Sequence, residues 1–164
     1  MAKRGNKAVL LTSAALGAIA GLRSMTAPAL LTHELAEDGD ADALGPLERM
    51  LTSEHTSRLL ALMAAGEMLA DKSPYIPDRT DPVPLIFRTV IGSVTAATFA
   101  VKRRCSPYLP AAVGAVSAVA STYAAFHVRR HVTVRFTIPN RLIGLAEDGV
   151  VMAASKAVME TVDV

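Results

Sequence analysis

One apolar segment constrains this chain more than any other feature. Residues 108–128 contain no Asp, Glu, Lys or Arg, and a helix needs about 20 mostly apolar residues to cross the hydrocarbon core of a bilayer. In lipid, the backbone N–H and C=O groups of such a segment must bond to one another, which a helix achieves. The segment therefore predicts a transmembrane helix.

Four further apolar segments contain charged or helix-breaking residues. With the first, the five segments cover residues 8–31, 56–70, 85–101, 108–128 and 142–158. We expect an all-α fold, a polytopic transmembrane bundle of four to five helices, some of them broken or short, in one domain over residues 1–164. The start also fits a cleavable signal peptide, with "AIA" at residues 18–20, but hydrophobicity continues beyond that point and recurs four times.

The polar stretches between these segments predict the connections. Residues 34–54 are acidic and contain glycine and proline, so we expect an exposed loop. Residues 71–84 hold four prolines, which disfavour helix and predict a stiff, extended crossing. Residues 129–141 alternate apolar and charged side chains and predict a short strand-like or interfacial piece. Lys and Arg only slightly favour a cytoplasmic N-terminus, because "KRR" at residues 102–104 falls on the opposite side.

Composition narrows the class of protein further. The net charge of +2 is too small to indicate a nucleic-acid binder. The single cysteine, Cys105, excludes an intramolecular disulfide and disfavours a cysteine-based metal cluster. His127 and His131 have the spacing of a helical zinc pair but lack the glutamate of that motif. Trp is absent, which counts against a membrane protein because the usual interfacial aromatic belt is missing.

Arg23 interrupts the first apolar segment. An arginine at mid-bilayer costs about 2.5 kcal/mol or more on insertion scales, so it normally faces protein or water. Pro28 cannot donate a backbone hydrogen bond and frees the carbonyl near Ser24, which together with Thr26 indicates a broken helix. Free backbone groups at membrane depth must be covered by protein or must line a wet cavity. The alternative is a structural arginine whose side chain extends to the headgroups.

Two carboxylates in the first half of the chain are candidate partners of this arginine. Glu67 falls near the middle of the 56–70 segment, and Asp71 follows it on the same helix face. An unpaired buried charge is far more costly than a paired one. We therefore expect Arg23 to pair with Glu67 or Asp71.

The second half of the chain repeats this arrangement. Arg88 lies in the 85–101 segment, and Glu147 and Asp148 lie in the last segment. The same argument predicts that Arg88 pairs with Glu147 or Asp148. Internal repeats with interrupted helices are a feature of transporters. The alternative, that these pairs only hold helices together, stays open.

Small residues recur at intervals of four in two of the apolar segments. They are Ser13, Gly17 and Gly21 in the first, and Gly114, Ala118 and Thr122 in the fourth. Such faces let the backbones of two helices approach closely in lipid. We expect a close helix–helix contact at each face.

Several motifs together resemble one protein family. "GLRSMTAP", "ADKSPYIPDR", "FRTVIG" and "LAEDG" are similar to those of small bacterial membrane proteins catalogued as domain of unknown function 4126, over about residues 17–152. The resemblance implies several transmembrane helices and no established activity. The characteristic positions it implies are Arg23, Ser24, Asp71, Lys72, Pro74, Pro77, Arg88, Gly92, Glu147 and Asp148.

These observations favour a multi-pass protein of the bacterial inner membrane that passes a small polar or ionic solute through a charged cavity. The arginines would contact an anionic group, while the carboxylates balance them or carry protons. The predicted substrate-binding residues are Arg23, Ser24, Thr26, Glu67, Asp71, Lys72, Arg88, Glu147 and Asp148. We expect membrane lipids and further copies of the chain as partners, and no cofactor, metal or nucleic acid.

Two other functions compete with this one. In a non-transporting scaffold or assembly partner, the same charges would be purely structural ion pairs. An intramembrane enzyme comes third, because paired carboxylates could do acid–base chemistry but no nucleophile or metal set accompanies them in the sequence.

Overall fold

The structure, a computed structural model, describes residues 2–37, 53–70, 80–136 and 140–162. These residues form helices and their connections and contain no strand, which confirms the all-α prediction for this part of the chain. The helices are α1 (Ala2–Leu22), α2 (Thr26–Glu37), α3 (Glu54–Ala70), α4 (Pro82–Lys102), α5 (Tyr108–Phe136) and α6 (Asn140–Val162).

The first apolar segment is broken where the sequence predicts it. Helix α1 ends at Leu22 and α2 begins at Thr26, so Arg23 lies at the break. Pro28 falls in the first turn of α2, where a helix needs no backbone N–H donor, so it is tolerated there. The break therefore precedes the proline instead of coinciding with it.

The prediction of a strand-like piece after the fourth segment is wrong. Helix α5 continues through this region to Phe136, and the described residues offer no neighbouring strand with which it could pair. A continuous helix bonds its own backbone groups, which outweighs the two-residue alternation of the side chains. Most of the two predicted loops, at residues 38–52 and 71–79, lies outside the described residues.

Helices α1, α4 and α5 cross at a common point where all three contribute glycine. A Cβ atom built on Gly17 would lie 2.7 Å from the Cα atom of Gly114, and one built on Gly92 would lie 3.0 Å from the Gly114 carbonyl oxygen and 3.4 Å from the Gly17 Cα atom. These backbones are therefore in direct contact. The predicted close approach of the small-residue faces is confirmed.

The remaining helices pack around this crossing. Helix α2 lies against α3, and α6 contacts both α1 and α2. A buried apolar cluster joins α1, α4 and α6 through Leu16, Ile19, Phe99 and Val151. A charged cluster of Arg23, Glu67, Arg88 and Asp148 lies where α1 ends and α2 begins.

Among the described residues, two helices are long and apolar enough to cross a membrane. They are Pro82–Lys102 and Tyr108–Arg135, and only 33% and 22% of their apolar windows are buried within the protein. Helix α1 contains a shorter apolar stretch, Asn6–Leu22. On α4, the buried residues include Arg88 and Thr95, while Ile86 and Val94 are exposed. Large apolar side chains of α4 are thus exposed, while its buried face combines Arg88 and Thr95 with the apolar residues Ala96, Phe99 and Ala100.

Candidate functional site: a charged cluster at the helix break

Arg23 is the centre of the cluster. Its residue is only 1% exposed, and its Nη2 atom donates to Oδ1 of Asp148 on α6 in an ion pair. The Asp148 side chain is 15% exposed. The arginine is therefore enclosed by protein, while its carboxylate partner keeps one side open.

Glu67, on α3, occupies the N-terminus of α2. Its Oε1 atom accepts a hydrogen bond from the Ser24 backbone N–H, and Oε2 accepts one from Met25, both with N···O distances of 2.9 Å. The first amides of a helix have no carbonyl partner within it, and they carry the positive end of the helix dipole. The carboxylate supplies both the missing acceptors and the opposite charge.

Arg88, on α4, bonds to the backbone on the other side of the break, at the C-terminus of α1. Its Nη1 atom donates to the carbonyl oxygens of Gly21, at 2.7 Å, and Leu22, at 2.9 Å. These are among the last carbonyls of α1, which have no intrahelical donor and carry partial negative charge. The Thr122 hydroxyl of α5 also donates to the Gly21 oxygen, at 2.9 Å.

One ion pair bridges the two capped ends. Nη2 of Arg88 lies 3.4 Å from Oε1 of Glu67, and the two side chains are 7% and 17% exposed. The break is thus held by a cation on the carbonyl end of α1 and an anion on the amide end of α2. Because Arg88 is buried and Glu67 is only partly exposed, their mutual attraction offsets part of the cost of removing them from water.

Glu147 forms a separate pair next to this cluster. Nε and Nη2 of Arg129 donate to its two carboxylate oxygens at 3.2 and 2.7 Å, a bidentate arrangement. Sequence reasoning missed Arg129 because it placed this residue in an interfacial piece. A continuous α5 would have revealed it, since the helix carries Arg129 alongside α6.

The structure shows two ion pairs that were not predicted from the sequence. The structure joins Arg23 to Asp148 and Arg88 to Glu67, so each arginine reaches a carboxylate of the other half of the chain. The physical reason is the break itself: its two free amides hold Glu67, which brings α3 beside Arg88. Asp71, the other predicted partner of Arg23, lies outside the described residues, as does Lys72.

Six of the nine predicted site residues meet at the break. They are Arg23, Ser24, Thr26, Glu67, Arg88 and Asp148, and Glu147 adjoins them through its neighbour in the chain. The Thr26 hydroxyl is buried and has no hydrogen-bond partner among the described residues. The same residues contain no group of three or more His, Cys, Asp or Glu that could hold a metal ion.

Comparison with known proteins identifies the family. A family model described as "Domain of unknown function (DUF4126)" matches residues 10–161. The chain belongs to this family. No curated protein and no solved structure matches it.

In this member of the DUF4126 family, the matched region contains the whole charged cluster, from Arg23 to Asp148. The two apolar helices are compatible with a membrane protein. Chemically, the cluster offers two guanidinium groups, two partly exposed carboxylates and the amide end of a helix within one small volume. Such a set can bind small charged groups and exchange partners without exposing charge to lipid.

Proposed function

We propose that the protein is a multi-pass protein of the bacterial inner membrane, with its helices surrounding the charged cluster. The distribution of side chains supports this. Large apolar residues are exposed on successive helices, such as Leu62 on α3, Val94 on α4, Val116 on α5 and Leu145 on α6. A water-soluble protein seldom leaves so much apolar surface uncovered, whereas lipid covers it at no cost.

We further propose that the cluster passes a small polar or ionic solute. The observation that carries this proposal is the break between α1 and α2, with backbone groups bonded by charged side chains from two other helices. Interrupted helices with charged surroundings form the binding sites of many transporters. In the proposed mechanism, Arg23 and Arg88 attract an anionic group, while Glu67 and Asp148 balance them or carry protons.

The other predicted site residues belong to the same proposal. Ser24 contributes its backbone N–H at the break, and Thr26 is the first residue of α2. Glu147 is paired with Arg129 and is proposed to fix the position of Asp148, its neighbour in the chain. Asp71 and Lys72 follow α3 in the chain and are proposed to act near Glu67. Association of several copies in the membrane is also proposed, through the exposed apolar faces.

Flux in reconstituted vesicles tests solute passage. Purified protein is placed in liposomes, and release of entrapped small anions and cations is measured for the wild type, Glu67→Gln and Asp148→Asn. We expect wild-type flux of at least one solute and loss of that flux in both variants. Glu54→Gln is the matched control, because Glu54 is exposed at the start of α3 and pairs with Arg58 of the same helix. Absence of wild-type flux across the panel contradicts the proposal.

A specific observation favours a second candidate, a non-transporting scaffold. Besides Arg58 in its exposed pair, three arginines of the described region each have a carboxylate partner on another helix: Arg23, Arg88 and Arg129. Such pairs could serve only to fix the helices. A scaffold would show no flux, and Glu67→Gln and Asp148→Asn would lower the yield of the assembled oligomer in detergent.

A further inference from the structure

We infer that the solute is a small carboxylate-type anion and that it binds in place of Glu67 at the N-terminus of α2. This inference rests on the proposed passage of a solute and names its chemical class. The Glu67 carboxylate would then occupy the binding site in the absence of solute, and it would move out of the site when the free anion enters.

The geometry around Glu67 is that of a carboxylate receptor. Its two oxygens are bound separately, one by the Ser24 N–H and one by the Met25 N–H, each at 2.9 Å. Arg88 adds a guanidinium nitrogen 3.4 Å from the first oxygen. All of these donors bond to the carboxylate group and not to the rest of the Glu67 side chain. A free anion of the same planar shape therefore satisfies them equally well.

An orphaned hydroxyl lies at the same helix end. Thr26 is the first residue of α2, its residue is 7% exposed, and its Oγ1 atom has no hydrogen-bond partner in the part of the chain that the structure describes. Buried hydroxyls are nearly always bonded to protein or to ordered water, so this one can still take a further partner. Glu67 leaves this donor unused, whereas a free anion is not restrained by a side chain and can adjust to include it.

The exposed fractions show which groups a solute meets first. The Glu67 and Asp148 side chains are 17% and 15% exposed, while those of Arg23 and Arg88 are 1% and 7% exposed. The carboxylates are therefore more accessible than the cations with which they pair. In the inferred exchange, an entering anion takes the place of a carboxylate beside a guanidinium group, and the charge within the cluster stays constant.

Binding of formate and acetate to purified protein in lipid nanodiscs tests this inference. In Glu67→Ala the donors have no tethered occupant, so we expect saturable formate binding by calorimetry, at least about tenfold tighter than in the wild type. A side chain held beside its site competes at a millimolar or higher effective concentration, which sets this factor. Acetamide, which is neutral and similar in shape to acetate, should bind at least about tenfold more weakly than acetate.

Three further variants make the result specific. Adding Thr26→Val to Glu67→Ala should weaken formate binding several-fold, because the orphaned hydroxyl is removed. Glu54→Ala, on the exposed end of α3, should bind formate no better than the wild type. If Glu67→Ala does not fold, Glu67→Gln replaces it, and it should still bind formate more tightly than the wild type because its amide group opposes one backbone N–H.

The opposing outcomes are equally definite. The inference is overturned if a folded Glu67 variant binds formate no better than Glu54→Ala does, or if acetamide binds as well as acetate. If the Glu67 variant binds formate but the wild type shows no flux in vesicles, the proposed solute passage is contradicted and the anion site is supported. If the wild type shows flux but no Glu67 variant binds formate, the anion site is contradicted and the proposed passage is supported.

Discussion

Two regions of this molecule are held together in opposite ways. At the crossing of α1, α4 and α5, three glycine backbones touch, and Gly17, Gly92 and Gly114 leave no room for a side chain. At the helix break, the contacts are made by long charged side chains, Arg88 and Glu67, reaching from neighbouring helices. The first region is fixed by steric exclusion and the second by electrostatics.

The difference indicates which region can change its arrangement. Backbone contacts between glycines offer one position and resist any displacement, because close packing leaves no alternative. Ion pairs between flexible side chains can exchange partners, and the polar groups at the break can be satisfied by more than one acceptor. The helix crossing is therefore expected to stay fixed while the ion pairs of the charged cluster exchange partners. This combination suits the proposed passage of a charged solute, because the helices keep their positions while the solute moves between them.

The largest effect is expected at the crossing. Gly114→Leu places a side chain against the Gly92 backbone and the Ala96 methyl group, so it should destabilise the folded protein by about 3 kcal/mol or prevent folding. Denaturant titration in detergent measures the change. Gly149→Ala is the matched control, since an added Cβ meets nothing within 4 Å there, and it should stabilise by about 0.5–1 kcal/mol. Equal effects of the two substitutions would refute steric control.

Breaking the Arg23–Asp148 pair should have the next largest effect. Arg23→Gln removes the ion pair that Asp148 makes with Arg23 in a partly buried site, at a cost of about 2–3 kcal/mol. A double-mutant cycle with Asp148→Asn isolates the interaction, which should amount to about 1–2 kcal/mol of coupling. Strictly additive losses would show that the two residues do not depend on each other.

Replacing Arg88 by lysine separates charge from geometry at the break. A single ammonium group cannot reach the Gly21 and Leu22 oxygens and Glu67 as a guanidinium does, so Arg88→Lys should lower the unfolding free energy by about 1–2 kcal/mol. Thermal unfolding in nanodiscs checks this. Arg58→Lys, in an exposed pair with Glu54, should change stability by less than about 0.5 kcal/mol. Similar losses would mean that the planar guanidinium is not required.

The smallest effect is expected where the two regions meet. Thr122→Val removes the hydroxyl that donates to the Gly21 oxygen, but Arg88 still donates to that oxygen. The loss should be about 1 kcal/mol or less. Thr98→Val, which removes a hydroxyl that donates to the Val94 carbonyl oxygen within α4, serves as the comparison in the same unfolding assay. A loss above that of Arg88→Lys would reverse the ranking and assign the main capping role to α5.

Local patterns in the sequence predicted much of the fold. The charge and proline around Arg23 predicted the break, because both disrupt a membrane helix whatever its neighbours are. The recurrence of Gly17 and Gly21 predicted a close contact for a similar reason, since small residues at this spacing always form one flat face. Both features follow from residues close together in the chain.

The partners of the charged residues could not be predicted in this way. Which carboxylate meets Arg23 depends on how α3 and α6 pack, and the prediction paired each arginine with carboxylates of its own half of the chain. The structure joins residues 125 positions apart instead. The alternating "HVTVRF" stretch misled the prediction for α5 because side-chain period alone cannot outweigh an uninterrupted helical backbone.

Collision accessibility of spin labels in liposomes tests the central claim most directly, that apolar faces point to lipid and charges point inward. Single cysteines replace Val94 on α4, Val116 on α5 and the exposed Glu54 on α3, in a Cys105→Ser background. We predict that labels at Val94 and Val116 collide often with oxygen and rarely with a water-soluble nickel chelate, and that the Glu54 label shows the reverse. Equal exposure of all three labels to the nickel chelate would contradict the account.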